Sequence, residues 1–332
     1  MESKYSTVIA CGVTGIVILL SLIIITMFFP AVLVRVNHIQ PNDTYLNSSP
    51  LPVSHSFSFR NETFTVSAAI NRSVYEGAKN TDKHVVTFAV VPFATWEGEC
   101  LRVMAQDPAM DSFFDGLLSQ FRKIRAERNL TDDEYAELLT AYSQSFTYYT
   151  ADNPVKYPIE TVYDGNGDCD DMSLLLAGLL SREGYKTAII VFEKDHHVVT
   201  GIGSDDNRYL STEYAYVDIM DYSFIGVPVN TLRGSDRMYL NPVVIPIGSG
   251  TKIYQSGGET RYISNMAILA YQRSGTLSLR MKNMLQDTPG NISAYNQTAG
   301  EFYRYSGIYT YIIRHRFDRP GVYEYLRREM PA

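Results

Sequence analysis

Asp164-Gly165-Asn166-Gly167-Asp168-Cys169-Asp170-Asp171 runs directly into Met172-Ser173-Leu174-Leu175-Leu176-Ala177-Gly178-Leu179-Leu180, and this junction decides how the chain is read. A polar loop gives way to an apolar helix spanning Asp170 to Arg182 and closed by Gly184. Cys169 therefore stands at a helix N-terminus, where free N–H groups and roughly half a positive charge favour thiolate over thiol. Asp168, Asp170 and Asp171 oppose that, because nearby carboxylates raise a thiol pKa. They are also good capping residues whose side chains can turn to the helix N–H groups. A nucleophilic thiol needs a base within about 3 Å, held in turn by a third group.

Downstream, Thr187–Phe192 and His197–Ile202 have the composition of paired strands around the turn Glu193-Lys194-Asp195. Arg208–Glu213 makes a third strand after the polar turn Ser204–Asn207. His197 opens its strand, at the edge of the sheet on which the cysteine helix would pack, and is the expected base. His196 faces the other way along a strand. Glu213 is the expected third group, with Asp218 as the alternative. Upstream, Met110, Phe113, Phe114, Leu117, Leu118 and Phe121 mark a helix from Asp107 to about Glu127. Thr131-Asp-Asp-Glu134 is a capping box opening a helix with the stripe Leu138, Leu139, Tyr142, Phe146 and Tyr149. Val85–Val91 has the pattern of a buried strand ended by Pro92. Asn241–Gly248 suggests another strand, and Arg261–Arg273 a helix with Tyr262, Met266 and Leu269 on one face. The expected class is α+β, helices packed on an antiparallel sheet.

Tyr157-Pro-Ile-Glu-Thr161, Gly167-Asp-Cys-Asp-Asp-Met-Ser173, Gly184-Tyr185 and His197-Val-Val-Thr-Gly201 resemble the transglutaminase-like superfamily, in its branch of prokaryotic transglutaminase-like cysteine proteinases and archaeal membrane-anchored relatives. Tyr142-Ser-Gln-Ser-Phe-Thr-Tyr148 is similar to that branch's glutamine-bearing helix motif. The resemblance covers about residues 107–215. It implies a papain-like core and a Cys-His-acid triad carried by Cys169 and His197. It also implies Gln144 as an oxyanion donor or substrate-positioning group. Many relatives end the acid-bearing strand in Glu-Thr-Thr, whereas this chain has Ser211-Thr-Glu-Tyr214, so Glu213 is offset from the pattern. The implied reaction is acyl transfer: attack on an amide carbonyl, then release of the thioester to water (peptidase or amidase) or to an amine (transglutaminase). The competing class is an inactive transglutaminase-like module that binds partners at the cell surface, since a fold does not settle activity.

Blander readings stand beside these. Cys169 can be a buried helix-terminal cysteine, Gln144 a surface glutamine, and Glu160 a hydrogen-bonding residue near the cysteine loop. Asp164-x-Asn166-x-Asp168-x-Asp170 resembles the start of a calcium loop, but its sixth position is Cys169 instead of Gly and its twelfth Leu175 instead of Glu. Zinc lacks a second cysteine pair or spaced histidines. No metal or cofactor is expected. The three cysteines, Cys11, Cys100 and Cys169, are too few for a disulfide framework; pairing of Cys100 with Cys169 would silence the site. A net charge of −7 and the lack of a basic run with aromatics argue against a nucleic-acid partner.

Val8 to Phe29 is apolar and uncharged, longer than the roughly 7–15 residues of a signal-peptide core and sufficient for the ~20 needed to cross a bilayer. Asn-x-Ser/Thr sequons occur at Asn42, Asn47, Asn61, Asn71, Asn129, Asn291 and Asn296, all beyond that run, which favours a glycosylated exterior. The expected plan is a cytoplasmic tail (1–6), a single-pass transmembrane anchor (7–34), a glycosylated stalk (35–83), an extracytoplasmic transglutaminase-like domain (84–230) and a C-terminal extension (231–332) of unassigned role. The partners are then the membrane and a peptide or protein substrate.

Overall fold

The computed structural model describes residues 2–28, 34–88, 90–150, 154–232, 238–287 and 292–330. In chain order the elements are α1 (Glu2–Phe28), β1 (Val34–Arg35), β2 (Leu51–Phe59), β3 (Glu62–Ile70), α2 (Arg72–Asn80), β4 (Val86–Thr87), α3 (Phe93–Gln106), α4 (Asp111–Arg128) and α5 (Asp132–Ser143). Then follow β5 (Thr147–Tyr148), α6 (Pro158–Asp164), β6 (Asn166–Gly167), α7 (Cys169–Arg182), β7 (Thr187–Phe192), β8 (His197–Gly203) and β9 (Tyr214–Val217). The chain continues through α8 (Val229–Leu232), β10 (Val243–Ile247), α9 (Gly257–Asp287), α10 (Ile292–Arg314) and α11 (Arg319–Glu329).

The α+β expectation holds. A four-stranded antiparallel sheet, ordered β10-β7-β8-β9, forms the centre, and α7 lies across β7 and β8. The period-2 alternation of strands sorts side chains onto two buried faces. Ile189, Val191, Val198, Ile202, Ala215 and Val217 join the helical core under α7. Ala188, Ile190, Phe192, Val199, Tyr214 and Tyr216 face a second cluster completed by Tyr209 and Tyr239. Both faces are covered, so β7 and β8 are buried throughout.

The stalk expected over 35–83 is instead folded. β2 and β3 pair from Leu51↔Ile70 to Phe59↔Glu62, and Arg60 and Asn61 turn the hairpin with positive φ, as a tight hairpin loop requires. Phe57 and Phe59 enter the core, with the Phe57 ring 5.5 Å from that of Tyr142 on α5. The polar alternate positions of β2 are what gave this segment a linker's composition. Sequon asparagines also serve the fold: Asn42 and Asn71 cap a 3-10 turn and α2, and Asn129 ends α4 in the left-handed conformation. Asn291 lies outside the described residues.

Three further expectations shift. Among the described residues of 85–91 the strand is only the two-residue β4, which is exposed and pairs with β1. The α5 stripe ends with the helix at Ser143, leaving Phe146 and Tyr149 beyond it. Residues 208–213 form a turn, with Leu210 at φ 49°, and the strand starts at Tyr214. The C-terminal extension packs on the core. Arg319 of α11 bonds Glu137 of α5 and Glu259 of α9, and Tyr254 donates to Glu137 at 2.7 Å. Removing one partner of such a buried pair costs about 3–5 kcal/mol.

Among the described residues no helix is long and apolar enough to cross a membrane. Within α1, side chains are described over residues 13–25 and at Met27. Their apolar members are exposed, from Val13 (56%) to Met27 (73%). Residues 29–33 of the expected anchor lie outside the described residues.

Candidate active site

Glycine chemistry shapes the loop that presents Cys169. Gly165 ends α6 at φ 72°. A Cβ on Gly167 would stand 2.7 Å from Cβ of Asp171, so only glycine lets the loop fold back against the helix start. β5 then pairs in parallel with β6, matching Tyr148 to Gly167, and so carries Tyr148 alongside the cysteine loop.

The aspartates divide their work. Asp168 is the N-cap, with Oδ1 accepting from the N–H groups of Asp170 (3.1 Å) and Asp171 (3.2 Å). Asp171 closes the capping box by accepting from Asp168 N–H at 3.2 Å, and accepts from Lys156 N–H at 2.6 Å. Asp170 turns to the nucleophile: the Cys169 thiol donates to its Oδ1 at 3.3 Å. Burial and then the Asp170 charge push the thiol up to about 12. Asp170 itself is raised to about 6 by burial and then Asp168, and Asp171 to about 7 by the same causes. Glu97, on α3, rises to about 7 through burial and then Asp170. The helix terminus is outweighed: the resting thiol is neutral.

Two groups approach the sulfur from elsewhere. The backbone N–H of Val198 stands against it and favours the thiolate. The Tyr148 hydroxyl also faces it, and Tyr148 is raised to about 12, first by burial and then by Cys169. Cys169 thus meets β8 one peptide beyond His197, where the β8–β9 ladder has already stopped at Thr200↔Val217.

His197 is 5% exposed. Its imidazole lies with the aromatic face of the sheet, 4.4 Å from the Tyr239 ring and stacked on Phe192 at 6.2 Å. Nε2 is 3.0 Å from the Tyr216 hydroxyl, and Tyr216 donates to Asp218 Oδ2 at 3.4 Å. Because the phenol proton goes to the carboxylate, Nε2 is the protonated ring nitrogen. Asp218 is fixed by the N–H groups of Met220 (3.2 Å) and Val229 (3.0 Å). His196, in the left-handed conformation, is exposed.

Two expected site residues lie apart from this chemistry. Glu213 is exposed and ion-paired with Lys186. Pairing of Gly203 with Tyr214 puts it at the opposite end of β8 from His197, roughly 20 Å away at strand rise. Asp218, reached through Tyr216, is the carboxylate linked to His197. Gln144 is buried, and its amide donates to the carbonyls of Asp218 (2.6 Å) and Ser223 (3.1 Å). Both amide hydrogens are engaged, so Gln144 braces the Asp218 loop and offers no donor to an oxyanion. Glu160 is structural, accepting from Tyr157 N–H at 2.9 Å and pairing with Lys83 at 2.7 Å. Tyr148 and Tyr216 escaped sequence reasoning; the Tyr216-x-Asp218 spacing, which puts both side chains on one strand face, was the available signal.

Asp168, Cys169 and Asp170 bring ligand atoms within 4.8 Å of one another, but Asp168 is committed to the helix cap. Cys100 and Cys169 are both free thiols. No family model, curated protein or solved structure matches this chain.

Proposed function

We propose that this protein is a membrane-anchored, transglutaminase-like thiol acyltransferase that cleaves or transfers peptide or cell-envelope amides. The observation that carries the reading is the hydrogen-bonded series His197–Tyr216–Asp218 on β8 and β9, with the N–H of Val198, the residue after His197, directed at the Cys169 sulfur. Cys169 attacks the amide carbonyl while His197 Nδ1 takes the thiol proton, Nε2–H being held by Tyr216. The imidazolium then protonates the leaving amine, and water or a second amine releases the acyl group. The backbone N–H of Cys169, the one at the start of α7 that Asp168 does not take, and the Tyr148 hydroxyl stabilise the oxyanion. Anchoring is assigned to the uncharged apolar run Val8–Phe29. The extracytoplasmic side rests on the sequons, and protease protection in sealed vesicles tests it.

One observation favours the second reading, a non-enzymatic binding module. The thiol is buried beside a carboxylate and neutral at rest, and the imidazole sits among aromatic rings. Profiling the full-length protein against a panel of peptide electrophiles, with Cys169→Ala as control, separates the two. Selective capture at Cys169 over Cys100 supports catalysis. Equal, slow modification of both thiols sinks it. Trapping of water or amine in the released product then distinguishes hydrolysis from transfer.

A further inference from the structure

Around β4 the surface is apolar without being covered. Val86 is 48% exposed, Phe88 67% and Val90 103%. Phe88 and Val90, with Val85, Thr87, Val91 and Trp96, line an open concavity of about 710 Å³ that has no charged residue in its wall. Trp96 lies edge-on to Phe93 at 5.2 Å. Contiguous apolar surface of this kind on a folded body marks an interaction site.

The β1–β4 pairing says what meets it. Val34 pairs with Thr87 and Arg35 with Val86. α1 ends at Phe28, and the six steps from Phe28 to Val34 span at most roughly 20 Å. The patch is thus tethered within that distance of the end of the apolar helix. Tryptophan settles at the headgroup level of a bilayer, and exposed phenylalanine and valine beside it can enter the boundary with the acyl chains. Of the lysines of the adjoining groove, Lys83 and Lys156 are paired with Glu160 at 2.7 Å and Asp164 at 3.0 Å, and Lys79 lies over the Tyr75 ring. The surface therefore suits lipid through apolar contact more than through anionic headgroups.

We propose that Val86, Phe88, Val90 and Trp96 form a second membrane contact, resting in the interface of the same bilayer that holds α1. The inference rests on the anchoring reading above. Its consequence is orientation: α3 carries Trp96 on the lipid side and Glu97, whose charge reaches Asp170 beside Cys169. Two attachment points hold the Cys169 site at a fixed height and direct it to amides close to the membrane surface.

Trp96 is the only tryptophan, so the full-length protein carries its own reporter. The protein is incorporated into zwitterionic lipid nanodiscs, with or without phospholipids brominated near the top of the acyl chain. The expected result is loss of most Trp96 emission in the brominated discs. The double substitution Phe88→Ser, Val90→Ser should restore emission while the protein still co-elutes with the discs. Undiminished emission from a co-eluting protein overturns the second contact and leaves the anchor standing. If that emission accompanies two copies per disc, the patch belongs to a self-interface. Failure to co-elute removes the anchor, and this inference with it. Quenching that the double substitution does not relieve also overturns the role of the patch.

Discussion

Asp170→Asn is the most informative single change. Asp170 accepts from the Cys169 thiol at 3.3 Å, and after burial its charge is the largest influence pushing that thiol up to about 12. At pH 8 such a thiol is ionised in about one molecule in 10⁴. Removing a like charge in contact lowers the pKa by about 1–2 units. The thiolate also becomes intrinsically less nucleophilic, with a Brønsted slope of about 0.4–0.5, so the net gain in alkylation rate is about 3- to 10-fold. The helix cap survives, because Asp168 provides it. The assay is iodoacetamide modification of Cys169 between pH 7 and 9, read by peptide mass spectrometry. Cys100, also raised to about 12 through burial and then Glu97, is the internal reference. An unchanged rate refutes the electrostatic argument, and a slower rate makes Asp170 the proton acceptor instead of a brake. The same substitution has a stability signature. Asp170 is raised to about 6 in the folded state, so folding binds protons; its contribution is fully present below the unfolded pKa of ~4 and is lost as pH rises through about 6. That loss is on the order of 3 kcal/mol at most. Asp171 and Glu97, raised to about 7, act in the same direction. Melting temperature from this cluster should fall between pH 5 and pH 8, and Asp170→Asn should narrow the difference.

Tyr216→Phe breaks the link from His197 to Asp218; the reactivity of Cys169 toward a peptide electrophile should fall and its pH profile move, with about 1–3 kcal/mol lost in denaturant unfolding. Retention of the wild-type profile would remove Tyr216 from the chemistry. Gln144→Ala frees two buried carbonyls and should cost about 1–3 kcal/mol by chemical denaturation, whereas a role at the oxyanion would lower turnover with stability intact. Glu213→Gln should leave both melting and Cys169 reactivity as they are, its side chain being exposed at the far end of β8; a lost pH dependence of Cys169 labelling would restore Glu213 to the site.

Local chemistry in the sequence determined a good part of this protein. The Thr131 capping box, the start of α7 with its aspartate caps, the apolar character of β7 and β8, and the place of His197 at the opening of the next strand but one all follow from spacing and propensity, which act over a few residues. The hairpin of residues 51–70 was less legible, because an antiparallel ribbon with one solvated face has a linker's composition until Phe57, Phe59, Val66 and Ile70 meet a partner surface. The third member of the site lay further out of reach. Register between β8 and β9 decides which acid is linked to His197, and register is a long-range property: starting the strand at Tyr214 sends Glu213 to solvent and brings Tyr216 to the imidazole with Asp218 behind it. Tertiary structure likewise decided the charge state of Cys169. The helix terminus alone favours thiolate, but burial and the rotamer of Asp170 are set by packing, and together they keep the proton on sulfur.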